Sequence, residues 1–438
     1  MSALLRSLAL AACLPFAGPA VAGLGLDESL QRHREQLEDV LSSASTPTRS
    51  TPQLALPDSV TLAIGGERSD PLPPFSRPQV GGRGGAQVLF GGGESNGFAW
   101  RLGAGWIDSD HYHYNFDGSE LSLPFGNGRV YLSDQRRHWG PSWAGSLILD
   151  SGAAPIPALG WRKTDASAFE HRSLNWLGPW NLDMFVGTLA GHTEPAHPKM
   201  WGARFQFMPL GGLEIGLSRV LEWGGRGRSE SFGTLWRSIV GQDNVDGGRY
   251  DPGNQLAGFD ARYSFAVSQA AAVSVYGQAI GEDEAGLLPS KYLGSVGADL
   301  AFKGEGRSLR VFFEYANTVA DGIAGRDEPG VAYRHGVYQQ GYTNQRRPLG
   351  FPAGGDVTLH TLGLMFDTAQ LSGLAMVHYG RAEPAAQLYA TTGTLAGANV
   401  ELSLRVAERS RIGASMTYWR EPASTSKRAQ LWWRYALK

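Results

Sequence analysis

Cysteine is nearly absent from this chain: Cys13 is the only one in 438 residues. That excludes an internal disulfide framework and a cysteine-ligated metal. Long hydrophobic runs are missing too. No stretch approaches the ~20 apolar residues that a membrane helix needs, and the mean hydropathy is −0.23. Charge of either sign is not in excess, with 39 basic against 41 acidic residues, so nothing points to a nucleic-acid partner. No internal repeat is visible beyond a hairpin rhythm.

What is abundant is glycine, 59 residues, together with 13 Trp, 15 Tyr and 18 Phe. These residues sit in runs of roughly ten that alternate apolar and polar. Val400, Leu402, Leu404 and Val406 alternate with Glu401, Ser403 and Arg405. Leu309, Val311, Phe313 and Tyr315 alternate with Arg310 and Glu314, and Trp201, Ala203, Phe205 and Phe207 with Gly202, Arg204 and Gln206. Successive side chains of a strand point to opposite faces, so each run has one greasy and one wet face. Soluble strands average about five or six residues, whereas ~9–11 cross a bilayer obliquely. The fold class is therefore all-β, a transmembrane antiparallel β-barrel. Aromatics suit its two interfacial girdles, and glycine relieves crowding in lumen and turns.

Three segments are expected along the chain. Residues 1–22 read as a signal peptide: Arg6, the apolar stretch Leu8 to Leu14, and Ala20-Val21-Ala22 before Gly23, with cleavage after Ala22. Leu10-Ala11-Ala12-Cys13 also resembles a lipobox. Residues 23–85 form a helix and linker segment in the periplasm. The helix, over 24–46, is capped by Asp27 and carries Leu26, Leu30, Leu37, Val40 and Leu41 on one face; it caps or plugs the barrel floor. Residues 43–85 show no long strand, and Gly81-Gly82-Arg83-Gly84-Gly85 reads as a connector.

Residues 86–438 form the barrel. Strands are expected near 98–106, 144–151, 180–189, 200–208, 213–222, 256–265, 272–280, 292–302, 308–316, 358–367, 373–382, 399–407, 411–420 and 428–437. Weaker candidates lie at 86–92, 117–123, 129–135 and 157–163, giving 16 to 18 in all, consistent with an even-stranded barrel. Short turns at 209–212, 266–271, 303–307, 368–372 and 409–410 fall to the periplasm. Long segments at 223–255, 281–291, 317–357, 383–398 and 421–427 fall to the outside, and the C-terminus is periplasmic.

The outer loops hold aromatics beside planar polar groups, which suits sugar: rings pack on its apolar face and polar side chains take the hydroxyls. The candidate polysaccharide-binding residues are Trp223, Trp236, Asp243, Asn244, Glu282, Asp283, Glu284, Lys291, Tyr338, Tyr342, Arg346 and Arg347. The competing reading is that these groups pair with each other and fold the loops over the pore. Hints of other chemistry are sparse. His171-Arg172-Ser173 matches a His-x-Ser dyad, His192, Glu194 and His197 flank two prolines, and His111 and His113 lie near Asp108 and Asp110. No nucleophile, base and orienter constellation stands out, so no catalytic, metal or cofactor site is expected.

Several blocks resemble the Wzi family of capsule-assembly proteins. They include Arg137-His138-Trp139-Gly140-Pro141-Ser142-Trp143-Ala144-Gly145-Ser146-Leu147-Ile148-Leu149, Trp176-Leu177-Gly178-Pro179-Trp180, and Gly253-Asn254-Gln255-Leu256-Ala257-Gly258-Phe259-Asp260. Tyr276-Gly277-Gln278 through Ile280-Gly281-Glu282-Asp283-Glu284-Ala285-Gly286 continues into Pro289-Ser290-Lys291-Tyr292-Leu293-Gly294. The resemblance implies an outer-membrane barrel of about 18 strands with a periplasmic helical part and a pore closed by outer loops. It further implies a non-enzymatic lectin that attaches capsular polysaccharide or exopolysaccharide to the cell surface after export. Outer-membrane lipid and the polysaccharide export machinery are its other candidate partners. A porin or sugar channel is the alternative, followed by a membrane-embedded lipid A or polysaccharide hydrolase.

Overall fold

The computed structural model of the protein describes residues 25–41, 59–65, 73–76, 83–93, 97–108, 114–165, 167–240, 253–285, 288–320 and 326–437. The leader, Cys13, His111, His113, Asp243 and Asn244 lie outside them.

One antiparallel sheet closes on itself. Its strands are β1 (Ser59–Gly65), β2 (Gly84–Gly93), β3 (Ala99–Ile107), β4 (Tyr114–Asn115 continued by Ser119–Phe125), β5 (Gly128–Asp134), β6 (Ala158–Lys163), β7 (Trp180–Thr188), β8 (Lys199–Leu210) and β9 (Leu213–Trp223). They continue as β10 (Gly253–Ser268), β11 (Ala271–Ala285), β12 (Leu288–Gly304), β13 (Arg307–Asn317), β14 (Val357–Thr368), β15 (Leu371–Ala382), β16 (Gly393–Ala407), β17 (Ser410–Arg420) and β18 (Thr425–Ala436). Each strand pairs with its neighbours, and β1 closes the ring against both β2 and β18, with Ser59 opposite Ala436 and Leu62 opposite Trp433.

The outward faces are apolar and exposed: Leu62, Leu102, Leu217, Phe259, Phe313, Leu402 and Leu431 all stand open on the wall. Nothing but lipid stabilises such a belt. Exposed Trp106, Tyr114 and Tyr379 mark one border and Phe125, Trp176, Trp433 and Tyr435 the other, the two girdles of a membrane barrel.

The inward faces are polar yet buried, because the lumen is filled. The expected strand at 144–151 does not exist: residues 135–157 leave β5, cross the lumen and return to β6. Leu147, Ile148 and Leu149 are all buried. A run of adjacent apolar residues reads like a strand in sequence, but in a barrel wall alternate ones would face lipid. A second difference balances the count at 18: the barrel begins at residue 59, inside the segment expected to be linker. Its seven-residue strand stands apart from the rest between Pro- and Gly-rich stretches.

α1 (Gly25–Leu41) sits at the end of the barrel bearing the short turns. Leu37 packs with Ala272 and Ala301 of the wall. Asp27 does not cap it. The helix already includes Gly25, and the Asp27 carboxylate pairs with Arg434 of β18. Arg32 donates to the carbonyls of Ser142 and Gly140 at 3.1 and 2.9 Å, joining the helix to the lumenal segment.

Candidate functional site

On β13, the Glu314 carboxylate accepts the backbone N–H groups of Trp143 (2.5 Å) and Ala144 (3.0 Å) and the Tyr276 hydroxyl (2.9 Å). On β11, the Gln278 amide accepts from Leu147 N at 2.8 Å and donates to Trp139 O at 2.7 Å. These wall side chains take the place of a β-ladder for the lumenal segment, whose buried backbone must find partners somewhere. Neither Gln278 nor Glu314 was singled out as a site residue. The signal was present, since both are polar residues on the wet face of otherwise apolar runs.

Residues 318–320 and 326–356, in the long segment between β13 and β14, close over this plug. Tyr333 and Tyr342 stack with ring centroids 5.8 Å apart. Their hydroxyls donate to Leu147 O and Ile148 O, each at 2.7 Å. Burial pushes both phenols well above the ordinary tyrosine value, so both remain protonated donors at any physiological pH. Asn344 accepts from Ala190 N and donates to Ala154 O and Pro155 O at 2.8 to 3.2 Å. Thus the loops between β5 and β6, β7 and β8, and β13 and β14 form one lid. His192 joins them through Nε2, which donates to Thr343 O at 2.7 Å. Burial lowers its pKa, so the ring stays neutral.

The sequence candidates divide sharply here. Tyr342 and Tyr338 are wholly buried: the Tyr338 ring lies 5.4 Å from His335 at a tilt of 42°, with the Arg228 guanidinium 5.9 Å from its ring. Arg347 is buried and reaches toward Gly152 O. Glu282 is buried and accepts the Tyr333 N–H. Glu282, Asp283 and Glu284 lie on β11 rather than on a loop, because β11 and β12 run on as a hairpin past the expected strand ends. Trp223 is buried at the top of β9. Glu282, Tyr338, Tyr342 and Arg347 are the frame of the lid, and, being buried, they are closed to an external polymer. Lys291 stands opposite Glu282 in register and pairs with Glu328 at 3.2 Å. Trp236 and Arg346 are exposed, as are Arg226 and Arg334.

Below the plug lies a cavity of about 190 Å³ lined by residues including Arg32, Gln135, Arg137, Asn181 and Gln206. Its charges are matched internally: Arg204 grips Asp260 through two bonds of 2.7 and 2.9 Å, and Tyr131 donates to Asp183 at 2.6 Å. The cavity ends against Trp139, Gly140 and Pro141.

The other hints resolve into local structure. His171 and Ser173 are exposed and hydrogen-bonded to each other at 2.7 Å within one turn, on the short-turn side of the wall between β6 and β7. Among the described residues no three metal-ligating side chains converge.

His33 of α1, also missed in the sequence, is fully buried. Arg310 Nε donates to its Nδ1 at 3.0 Å, and its Nε2 faces Ser308 Oγ at 2.9 Å. Burial first, then the Arg310 charge, lowers its pKa from 6.5 to about 3. The docked helix therefore binds fewer protons than the free one between those values. Docking is fully favoured above pH 6.5 and weakens as pH falls, by about 1.4 kcal/mol per unit at most. Proteolysis of α1 in the folded barrel is expected to accelerate several-fold between pH 7.5 and pH 5. His33→Gln should flatten that dependence; equal rates at both pH values in the native chain would show that the helix is held without His33.

The model of the family "Capsule assembly protein Wzi" matches residues 79–420. An uncharacterised 55.8 kDa protein of the Klebsiella pneumoniae cps region is 36% identical over 190 residues. That match covers 43% of this chain and 38% of the Klebsiella protein, so the chain spans about two fifths of that relative. Among solved structures, Escherichia coli Wzi, an outer-membrane carbohydrate-binding β-barrel involved in group 1 capsule assembly, superposes with a TM-score of 0.76. It is 24% identical, over 96% of this chain and 100% of that one. Pseudomonas aeruginosa OccK10 gives a TM-score of 0.46 at 13% identity, over 88% and 98% of the two chains. With the family model spanning most of an 18-stranded barrel, this chain belongs to the Wzi capsule assembly family.

Proposed function

We propose that the protein is an outer-membrane lectin that holds an exported capsular polysaccharide or exopolysaccharide at the cell surface and catalyses no reaction on it. The observation that carries this reading is the lid: among the described residues, long loops are hydrogen-bonded to a filled lumen and cover it, which obstructs a through-path. A porin needs that path, and a hydrolase needs a nucleophile and base in a cleft. The carbohydrate binding of the Escherichia coli barrel with the same fold supports the same reading. Secretion by the leader with cleavage after Ala22, contact with the surrounding lipid and contact with the export machinery belong to this proposal.

Among the polymer contacts we place the exposed Arg334 and Arg346, with Lys291 on β12 as a further candidate. Single contacts would be weak, and retention would come from many along one chain. The test is the split between cell-bound and released polysaccharide in a strain lacking the gene. Total polymer is expected to stay constant while most shifts to the medium. Arg334→Ala with Arg346→Ala should reproduce part of that shift in a folded barrel. Undiminished attachment in the deletion strain would overturn the proposal.

A further inference from the structure

The segment after β9 carries α2 (Phe232–Ile239), capped by Ser231, whose hydroxyl accepts from Thr234 N. Strand parity fixes where this helix lies. On β9 the inward residues are Ser218 and Glu222, so Leu217, Arg219, Leu221 and Trp223 face outward. Leu217 and its register partner Phe259 on β10 are 48% and 56% exposed, part of the lipid belt. Two and three residue pairs higher, the same outward face is closed: Leu221 is 0% and Trp223 4% exposed. What covers them is α2, whose Leu235 and Ile239 pack on Leu221, Trp223 and Trp201. Arg219, between belt and helix, donates to Ile239 O at 2.8 Å and Ser238 O at 3.2 Å, satisfying carbonyls at the helix end. α2 thus lies on the outside of the barrel, one step above the lipid belt, and not over the pore.

Its other face carries Phe232 and Trp236, 76% and 55% exposed, one turn apart with ring centroids 6.5 Å apart. Residues 224–240 contain three arginines, Arg226, Arg228 and Arg237, against one acid, Glu230. Exposed aromatics on an amphipathic helix, with Arg237 on it and Arg226 and Arg228 just before it, at the edge of a hydrocarbon belt, match the boundary between acyl chains and headgroups. We infer that α2 is an interfacial helix seated in the leaflet at the long-loop end, with Phe232 and Trp236 at the acyl boundary and Arg226 and Arg237 on anionic lipid phosphates. The occupant is lipid because the helix continues a surface that lipid already covers. Trp236 then anchors the barrel instead of touching polymer.

The test uses the full barrel in vesicles of phosphatidylcholine with or without phosphatidylglycerol. The mature chain is expected to lack cysteine, so Phe232→Cys and, on the lid, Arg346→Cys each give a single labelling site for an environment-sensitive fluorophore. Brominated acyl chains are expected to quench the label at 232 at least twofold more than the label at 346, and aqueous iodide to do the reverse. Phosphatidylglycerol should strengthen the quenching at 232, and Arg226→Gln with Arg237→Gln should remove that increment. Heat-modifiable mobility confirms that each variant has folded. Equal quenching at the two sites, or an iodide-accessible 232, would overturn the inference. So would loss of polysaccharide retention in Trp236→Ala with the label at 232 in water. Failure of the lectin reading leaves these lipid readouts unchanged.

Discussion

Replacing Glu314 by alanine is expected to turn a silent barrel into a conducting one. In the native protein the segment 135–157 fills the lumen, and its buried backbone depends on side chains of the wall. Glu314 alone receives Trp143 N, Ala144 N and the Tyr276 hydroxyl. Alanine leaves three donors without that acceptor, at about 1–3 kcal/mol each. Taking the low end, because water in an opened lumen would relieve part of it, the closed plug loses roughly 3 kcal/mol, about a hundredfold in its population. Planar-bilayer recording should show no steps for the native protein and flickering conductance for Glu314→Ala. Glu314→Gln keeps one accepting oxygen and should fall between. A variant as silent as the native barrel, with an equally protease-resistant segment 135–157, would show that the lid holds the plug without Glu314.

The second large effect separates the helix from the strand that follows it. Removing residues 23–50 is expected to leave a heat-modifiable barrel with its floor opened. Removing 23–66 is expected to abolish the folded form. β1 supplies both ladders that close the ring, to β2 and to β18. Without it two long edges, with unpaired N–H and C=O groups, would face hydrocarbon, each group costing several kcal/mol. Refolding yields in detergent micelles, read by gel mobility before and after boiling, decide the matter. A folded barrel from the longer truncation would mean that β2 can pair directly with β18.

Much of this architecture is legible in the residues. Period-two alternation marks each long strand because one face meets lipid and the other does not. Loop lengths then separate a short-turn end from a long-loop end, and Leu26, Leu30 and Leu37 mark the helix stripe. The strand at 59–65 escaped because alternation over seven residues is a weak signal between Pro- and Gly-rich neighbours. The run 144–151 misled because buried apolar residues look alike in a strand and in a plug. α2 was readable in principle: Ser231 caps it, and Leu235 and Ile239 follow at helical spacing.

The candidate site was legible as a region and not as a set of contacts. Aromatic and planar polar residues cluster at the long-loop end, as the sequence indicates. Which of them face solvent depends on contacts across great sequence distance: Tyr342 on Ile148, Tyr333 on Leu147, Glu282 on Tyr333. The same chemistry that suits a sugar suits a backbone carbonyl, so composition cannot divide frame from surface. The barrel and its approximate strand number were readable from the residues alone, because local alternation and turn length are properties of neighbouring residues. That the lumen is filled, which strand closes the ring and which loop side chains stay exposed emerge only in the folded chain. Those outcomes rest on long-range hydrogen bonds and burial that no local pattern encodes.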